Sequence, residues 1–266
     1  MLGSTAQAAR YQVTLPPLAI AILCGAAACA GFVDAIAGGG GLVTVPALMS
    51  FVPSPHLALG TNKGQALFGA ISSAASFWRG KGVDRDRVPL AFACGGAGAV
   101  LGAFIQLEIR PEPLKPIALV LLVLAALLVL VRPLVMKKDV KAHDVKAPNA
   151  RLAAIALVIG CYDGFFGPGT GSLLIVAFVT IHGDTMTRAS GNAKIVNLAS
   201  NITSFVIFAI KGTILWSVAL PMAVANAVGA AVGARVAMKR GDAFVRVVVL
   251  AVVVALVVKL GVDIVR

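Results

Sequence analysis

The chain has 266 residues, of which 59% are hydrophobic and 13% are charged, and its mean hydropathy is +0.95. One soluble core cannot bury that much apolar surface, whereas helices in a bilayer expose it to lipid, so a soluble globular protein is excluded. The net charge of +12 arises from cations in short loops between apolar stretches, without interleaved aromatic residues. We therefore expect no binding to nucleic acid.

Apolar stretches follow one another along the whole chain, and several reach the roughly 20 residues that cross the hydrocarbon core. The two stretches that follow glycine clusters are too short to cross. The pattern predicts an all-α, polytopic helical membrane protein. In chain order the stretches are 16–37, 42–53, 64–78, 88–107, 116–135, 152–166, 171–182, 195–210, 213–234 and 247–264.

A motif in the first half of the chain returns in the second half. Residues 31–41 read GFVDAIAGGGG, and residues 160–170, which lie 129 positions later, read GCYDGFFGPGT. In each copy an aspartate, Asp34 or Asp163, comes at the end of an apolar segment. Glycines then interrupt that segment, because glycine disfavours a continuous helix. Both copies therefore predict a broken helix beside a carboxylate.

A second pair of matching segments is polar within apolar surroundings. Residues 60–65 and residues 191–197 align with an offset of 131 positions, which places Lys63 opposite Lys194. An internal duplication built around broken apolar helices is typical of a secondary transporter.

Equivalent loops of the two halves differ in charge. The link 79–87 is strongly basic, whereas its counterpart around Lys211 holds one cation. Conversely, the link 235–246 is strongly basic, whereas the cations of its counterpart 107–115 are balanced by glutamates. Because cations concentrate in cytoplasmic loops, we predict two repeats of inverted topology with about five membrane elements each. The expected units are an N-terminal membrane repeat (1–135), a cytoplasmic basic linker (136–151) and a C-terminal membrane repeat (152–266), with both termini periplasmic.

The glycine clusters are expected to break helices inside the bilayer, where free backbone groups are tolerated only against protein or a wet cavity. Half-helices that restart at Leu42 and Gly171 would direct unpaired N–H groups and a positive dipole end at the turn, which suits an anion. The alternative is that the glycines only allow close helix packing. The predicted anion-binding backbone comprises Gly38, Gly39, Gly40, Gly41, Gly167, Gly169, Thr170 and Gly171.

Polar side chains near the breaks are candidates for ligand contacts. Lys63 and Lys194 are each the lone cation of an apolar region. Inverted symmetry would bring both to one site. The alternative is that they snorkel to opposite membrane interfaces. Asp34 and Asp163 either couple transport to an ion, H⁺ or Na⁺, or cap the N–H groups of the glycine turns. Neutral hydrogen bonds to substrate are expected from Asn62, Gln65, Asn192, Asn197 and Asn201.

The sequence contains no catalytic or metal-binding constellation. The three histidines lie on different links, and the four cysteines lie inside apolar segments without metal-ligand spacing. No glycine cluster continues into a nucleotide-binding motif. We expect neither enzymatic activity nor a cofactor, apart from the coupling ion that stays open.

The segments GFVDAIAGGGGLVTVPAL and ALGTNKGQA, followed in the second half by GCYDGFFGPGTGS and NAKIVNLASN, resemble the sulfite exporter TauE/SafE family, also called TSUP permeases. The similarity covers about residues 15–260. Pro168 and Thr170 stand where the second copy of the family motif is often richer in glycine, and this departure leaves the substrate open.

The resemblance implies a permease of small anions in the bacterial cytoplasmic (inner) membrane. The expected substrates are sulfite, sulfoacetate or other organosulfonates, exported by alternating access. A permease for a different small solute, or a membrane assembly or maturation factor, is the alternative. The expected partners are the anion and the lipid bilayer, and a homodimer stays open.

Overall fold

The computed structural model of the chain describes residues 15–80, 83–135, 149–184 and 186–236, and within them the regular structure is helical, without strands. Five of these helices are long and apolar enough to cross a membrane, and the predicted all-α membrane architecture is confirmed. The predicted linker is described only from residue 149 onward, and the stretch 247–264 lies outside the described residues.

Proline and glycine mark the ends of the first helices. Helix α1 (Pro17–Ala37) begins with a proline at its first position, where the missing N–H is not needed, and ends at Gly38. Helix α2 (Gly41–Phe51) has 11 residues and therefore extends for about 16 Å, half of the hydrocarbon core. Helix α3 (Pro55–Arg79) again begins with proline.

The remaining helices repeat this order. In the first half, a short 3₁₀ turn (Arg85–Arg87) leads into α4 (Val88–Glu108), and α5 (Pro111–Val135) follows. In the second half, a glycine break again leads into a helix of 11 residues. The second-half helices are α6 (Asn149–Phe165), α7 (Thr170–Thr180), α8 (Met186–Ile210) and α9 (Trp216–Val236).

The polar segments are helical, which the sequence did not indicate. Residues 60–65 lie inside α3, and residues 191–197 lie inside α8, whereas the apolar stretches were expected to begin only at 64 and 195. A helix satisfies its own backbone groups, so polar side chains are compatible with helical structure at membrane depth when they face the bundle interior.

Helices of the two halves pack in a crossed arrangement, in which α4 packs against α6 and α9 packs against α1. Gly98 of α4 lies against the backbone carbonyl of Leu157, and the equivalent Gly229 lies against the carbonyl of Ala28. The missing Cβ atoms allow the helix backbones to approach closely. Matched contacts of this kind are expected for a duplication. A twofold axis in the membrane plane and one along the membrane normal would both produce these matched contacts. The inverted topology therefore stays a prediction.

Large apolar side chains face outward while many polar ones lie inside. Exposed residues on the bundle surface include Leu101, Phe104, Val120, Leu124, Val224 and Val228. The buried polar residues include Asn62, Lys63, Gln65, Asp163, Lys194 and Asn201. This distribution suits a bundle surrounded by lipid and places the candidate site in its interior.

Candidate functional site

Each buried lysine pairs with the aspartate of the other half of the chain. Lys63 Nζ lies 2.6 Å from Asp163 Oδ1, and Lys194 Nζ lies 3.1 Å from Asp34 Oδ2. Lys194 also donates to the backbone carbonyl of Asp34. The side chains of Lys63 and Lys194 are 3% and 2% exposed, which excludes snorkelling to an interface. The aspartates compensate the burial of both ammonium groups.

The two pairs are equivalent under the duplication. Lys194 follows Lys63 by 131 positions, and Asp163 follows Asp34 by 129 positions. Neither lysine has an acidic residue nearby in its own segment, so the local sequence does not reveal a partner. The partner comes from the opposite half, so neither lysine is a free cation.

A cavity of about 40 Å³ lies between the two helix breaks. On this measure a cavity needs about 10–15 Å³ to hold one water, so this conformation has room for a few waters. The wall combines charged groups, amides and glycine backbone, which makes it polar within an apolar bundle. The lining residues are Asp34, Gly40, Gly41, Asn62, Lys63, Gln65, Ala66, Asp163, Gly167, Asn197, Asn201 and Asn226.

The glycine turns are one residue shorter than expected. The first turn covers 38–40 and α2 resumes at Gly41, while α7 resumes at Thr170. Among the four consecutive glycines only Gly38 has positive φ, at 75°. In the second turn Gly167 and Gly169 have φ of 98° and 83°. These are the positions where the backbone requires glycine.

Most first-turn N–H groups of the half-helices already have acceptors. Leu42 N and Val43 N donate to the carbonyls of Gly39 and Gly40, each at 3.0 Å. In the other half, Thr170 N donates to the Gly167 carbonyl at 3.2 Å. The expectation that these groups are unpaired donors is therefore wrong for Leu42, Val43 and Thr170.

The two breaks touch each other. Ser172 N donates to the Gly38 carbonyl at 3.2 Å, and a Cβ atom on Gly38 would overlap the backbone of Gly171. A Cβ atom on Gly41 would lie 3.0 Å from Pro168 Cα. Gly38 and Gly171 thus serve close packing, whereas Gly40, Gly41 and Gly167 line the cavity. The close-packing alternative fits Gly38 and Gly171, whereas contact of Gly40, Gly41 and Gly167 with an anion stays a prediction.

The two carboxylates have different surroundings. Asp163 accepts hydrogen bonds from side chains only, among the contacts described, and its side chain is 2% exposed. Asp34 Oδ1 accepts the N–H of Gly40 at 3.4 Å, and its side chain is 25% exposed. Asp34 therefore caps its glycine turn only through one long hydrogen bond. The contacts described for Asp163 do not include an N–H of the second glycine turn.

Comparison with known proteins identifies the family. A profile described as sulfite exporter TauE/SafE matches residues 23–260. The chain belongs to the TauE/SafE family. It is a multi-pass membrane protein of a bacterial transporter family.

Relatives resemble this TauE/SafE chain over most of its length. The probable membrane transporter protein ORF9 of Sinorhizobium sp is 39% identical over 206 residues, which cover 77% of this chain and 78% of the relative. The probable membrane transporter protein YfcA of Escherichia coli K12 is 36% identical over 230 residues, or 86% and 85% of the two chains. A probable membrane transporter protein of Haemophilus influenzae is 38% identical over 193 residues, or 73% and 75%. No solved structure matches this chain at a significant level.

The TauE/SafE structure places some predicted residues away from the cavity. Lys194 lies behind Asp34, and Gly169 packs beside Ala125 on α5. Thr170 Oγ1 donates to Asp163 Oδ1 at 3.1 Å, behind the wall. The predicted residues outside the lining are Gly38, Gly39, Gly169, Thr170, Gly171, Asn192 and Lys194.

Asn192 belongs to a separate polar contact. Its Oδ1 accepts the N–H of Asp84 at 3.1 Å, and its Nδ2 donates to Asp184 Oδ2 at 3.1 Å. The equivalent position in α3 makes the matching bond, because Thr61 Oγ1 accepts the N–H of Leu215 at 3.0 Å. Both residues tie a helix to the loop before a helix of the other half, so the expectation of a substrate contact at Asn192 does not fit its position.

Asn226 lines the cavity and was missed in the sequence. It lies in the apolar helix α9, and its equivalent in the first half is Gly95, so the duplication gave no second copy to draw attention to it. The available signal was a lone amide inside an apolar stretch, which in membrane helices usually faces the protein interior.

Proposed function

We propose that this chain is a permease for small anions, specifically sulfite, sulfoacetate or a related organosulfonate, and that it exports them from the cytoplasm across the inner membrane by alternating access. The observation that carries the proposal is the polar cavity between two broken helices in the middle of an apolar bundle. Secondary transporters place substrate sites at such breaks, between the two halves. Membership in the TauE/SafE family supports the same conclusion.

The cavity wall supplies suitable groups for a sulfonate. Lys63 contributes a charged donor, and Asn62 and Asn226 contribute amides. Gln65 is 1% exposed, and its Oε1 has no hydrogen-bond partner among the described residues. A buried amide oxygen left without a partner is costly, so a water or a ligand at this wall would satisfy it.

Alternating access requires a conformational change around this cavity. A sulfonate group, with one sulfur and three oxygens, is comparable in size to the few waters for which the cavity of about 40 Å³ has room. Opening of the site to the other side of the membrane would separate the glycine breaks that now touch through Gly38 and Gly171. Movement of one half against the other around a fixed site is the motion expected for duplicated transporters.

Binding and flux measurements on the purified protein test this function. We expect saturable binding of at least one of sulfite, thiosulfate, sulfoacetate, taurine and sulfate by calorimetry, and flux of the same compound in proteoliposomes. Lys63→Met should weaken binding about tenfold or more, because a charge-assisted hydrogen bond is lost. Lys211→Met, which removes an exposed lysine outside the cavity, is the matched control.

A double variant separates two roles of the lysine. Lys63→Met leaves the Asp163 carboxylate without its countercharge, and that carboxylate repels an anion. Lys63→Met with Asp163→Asn removes both charges. Recovered binding in the double variant would mean that Lys63 acts by neutralising Asp163, and weak binding would mean that it contacts the anion. A folded protein that binds and transports none of the five compounds would contradict the proposed function and favour an assembly factor.

A further inference from the structure

The two carboxylates of the site differ in the number of hydrogen-bond donors that surround them. Asp163 Oδ1 accepts from Lys63 at 2.6 Å and from Thr170 Oγ1 at 3.1 Å. Its Oδ2 accepts from Asn197 at 3.3 Å, from Asn201 at 3.4 Å and from the hydroxyl of Ser200. A proton on either oxygen of Asp163 would have to displace one of these donors.

Asp34 has far fewer donors. Among the described residues, Lys194 donates to Oδ2 at 3.1 Å and Gly40 donates to Oδ1 at a long 3.4 Å. Its side chain is 25% exposed, compared with 2% for Asp163, and it lines the cavity. Asp34 Oδ1 is therefore able to accept a proton without displacing a strong hydrogen bond.

The difference comes from divergence between the two copies of the duplication. Every neutral donor to Asp163 is matched, around Asp34, by a residue that has no side-chain donor. The matched positions, from the 129 and 131 residue offsets, are Thr170 with Gly41, Asn197 with Ala66, Ser200 with Gly69 and Asn201 with Ala70. The second half of the chain carries Asp163, which is surrounded by hydrogen-bond donors. The first half carries Asp34, which has few donors and lines the cavity.

The charges of the site already cancel before a substrate enters. Lys63 and Lys194 carry two positive charges, and Asp34 and Asp163 carry two negative ones. A monovalent anion would add one uncompensated negative charge to a poorly solvated site, which is unfavourable. One proton taken up together with the anion would restore neutrality.

We propose that Asp34 takes up one proton with each monovalent anion, so that the two cross the membrane together, while Asp163 stays ionised and holds Lys63 in place. This inference rests on the proposed function. A hydronium ion from the aqueous side transfers the proton to Asp34 Oδ1 and leaves as water, so one O–H bond breaks as another forms. Protonated Asp34 no longer neutralises Lys194, which stays attached through the Asp34 backbone carbonyl and contributes its charge to the anion.

The charged groups that face Asp34 favour a proton over a metal cation. Lys194 on α8 contacts its carboxylate, and Lys63 on α3 and Asp163 on α6 line the same cavity. A hard cation such as Na⁺ needs several oxygen ligands, and the positions equivalent to the donors of Asp163 are glycine or alanine, which supply no side-chain oxygen. The ammonium group at 3.1 Å from Oδ2 would also repel a second cation there.

Methanesulfonate is the probe, because a strong-acid anion keeps its single charge over the working pH range, so any pH dependence comes from the protein. Calorimetry in two buffers of different ionisation enthalpy, without Na⁺, counts the protons bound with each anion. We expect about one proton per anion in the wild-type protein and close to none in Asp34→Asn, because Asn resembles the protonated form. Wild-type Kd should rise about tenfold per pH unit where Asp34 is ionised, and Kd of the variant should not change with pH.

A gain-of-donor variant gives an independent measurement. Ala66→Asn introduces beside Asp34 the amide that Asn197 supplies to Asp163 at 3.3 Å. The added donor should hydrogen-bond the Asp34 carboxylate, so that proton uptake with the anion requires a lower pH. The control Ala227→Asn lies in the same bundle but outside the cavity lining, and should leave the pH dependence unchanged.

The possible results separate this inference from the proposed function. If methanesulfonate did not bind at any pH, both the proposed transport of sulfonates and the role of Asp34 would be contradicted. Binding by the wild-type protein without proton uptake, or binding that requires Na⁺, would keep the permease and overturn the role of Asp34. Proton uptake that persists in Asp34→Asn would assign the proton to another group and would also overturn it.

Discussion

Lys63→Met is the substitution that tests the crossed ion pairs most directly. It removes the ammonium group 2.6 Å from Asp163 Oδ1 and leaves a carboxylate that is 2% exposed. Methionine has nearly the same length and is unbranched, so packing changes little while the charge is lost. The expected result is a folded protein of clearly lower stability.

The structure sets the size of the loss. Breaking a buried ion pair by removing one partner typically costs about 3–5 kcal/mol. Four side-chain donors stay on Asp163, so we expect a value near the lower end, about 3 kcal/mol. Lys194→Met should cost about 1 kcal/mol, because the Asp34 carboxylate that it leaves is 25% exposed and water replaces part of the lost interaction.

Thermal melting in a mild detergent measures both variants. A loss of about 3 kcal/mol corresponds to a Tm lower by roughly 6–12 °C for a chain of this size, and the loss for Lys194→Met should be a few degrees. The double variant with Lys63→Met and Asp163→Asn should recover more than half of the loss, since no unpaired charge stays buried. Lys211→Met, on the exposed surface, should melt like the wild-type protein.

Two results would refute this reasoning. Equal losses for Lys63→Met and Lys194→Met would mean that burial of the partner carboxylate does not decide the energy. A double variant as unstable as Lys63→Met would mean that the lysine acts through its packing, and not through its charge.

Two further predictions concern the glycine turn and the topology. Gly167→Ala should weaken anion binding about tenfold, because its Cβ would lie 2.9 Å from Lys63 Nζ. Gly183→Ala, at a similar φ of 79° but with open space around it, is the control and should bind normally. In a background without native cysteines, Gly80→Cys and Lys211→Cys should react with an impermeant maleimide from opposite sides of the membrane, and labelling from one side would disprove inverted topology.

Much of the fold is predictable from the sequence because lipid imposes simple rules. Apolar stretches of sufficient length predict the spans, and the glycine clusters predict the short helices α2 and α7, which the structure shows as 11 residues each. The offsets between the repeated motifs are also sufficient to align Lys63 with Lys194. The starts of α2 and α7 differ from the predicted stretches by one residue and their ends by two, since local composition does not fix the terminal residues of a helix.

The candidate site was less predictable because its contacts join distant parts of the chain. The partner of Lys63 lies 100 residues away and the partner of Lys194 lies 160 residues away, so no local pattern reveals either pair. The segments around these lysines fell outside the predicted apolar stretches because they are polar, but a helix tolerates polar side chains wherever tertiary partners exist. Asn226 has no polar counterpart in the first half, so comparison of the two repeats, which identifies the other residues, does not identify it.

The crossed pairing also has an evolutionary consequence. Each half of the chain contributes one lysine and one aspartate, yet each charge is neutralised only by the other half. A single half on its own would bury an unpaired ammonium group and a carboxylate, a combination that is strongly destabilising. Two identical copies would satisfy each other reciprocally, as an isologous contact does. The crossed pairing is therefore compatible with an origin as a homodimer of one-repeat chains, in which fusion of the two copies would allow the two carboxylates to diverge.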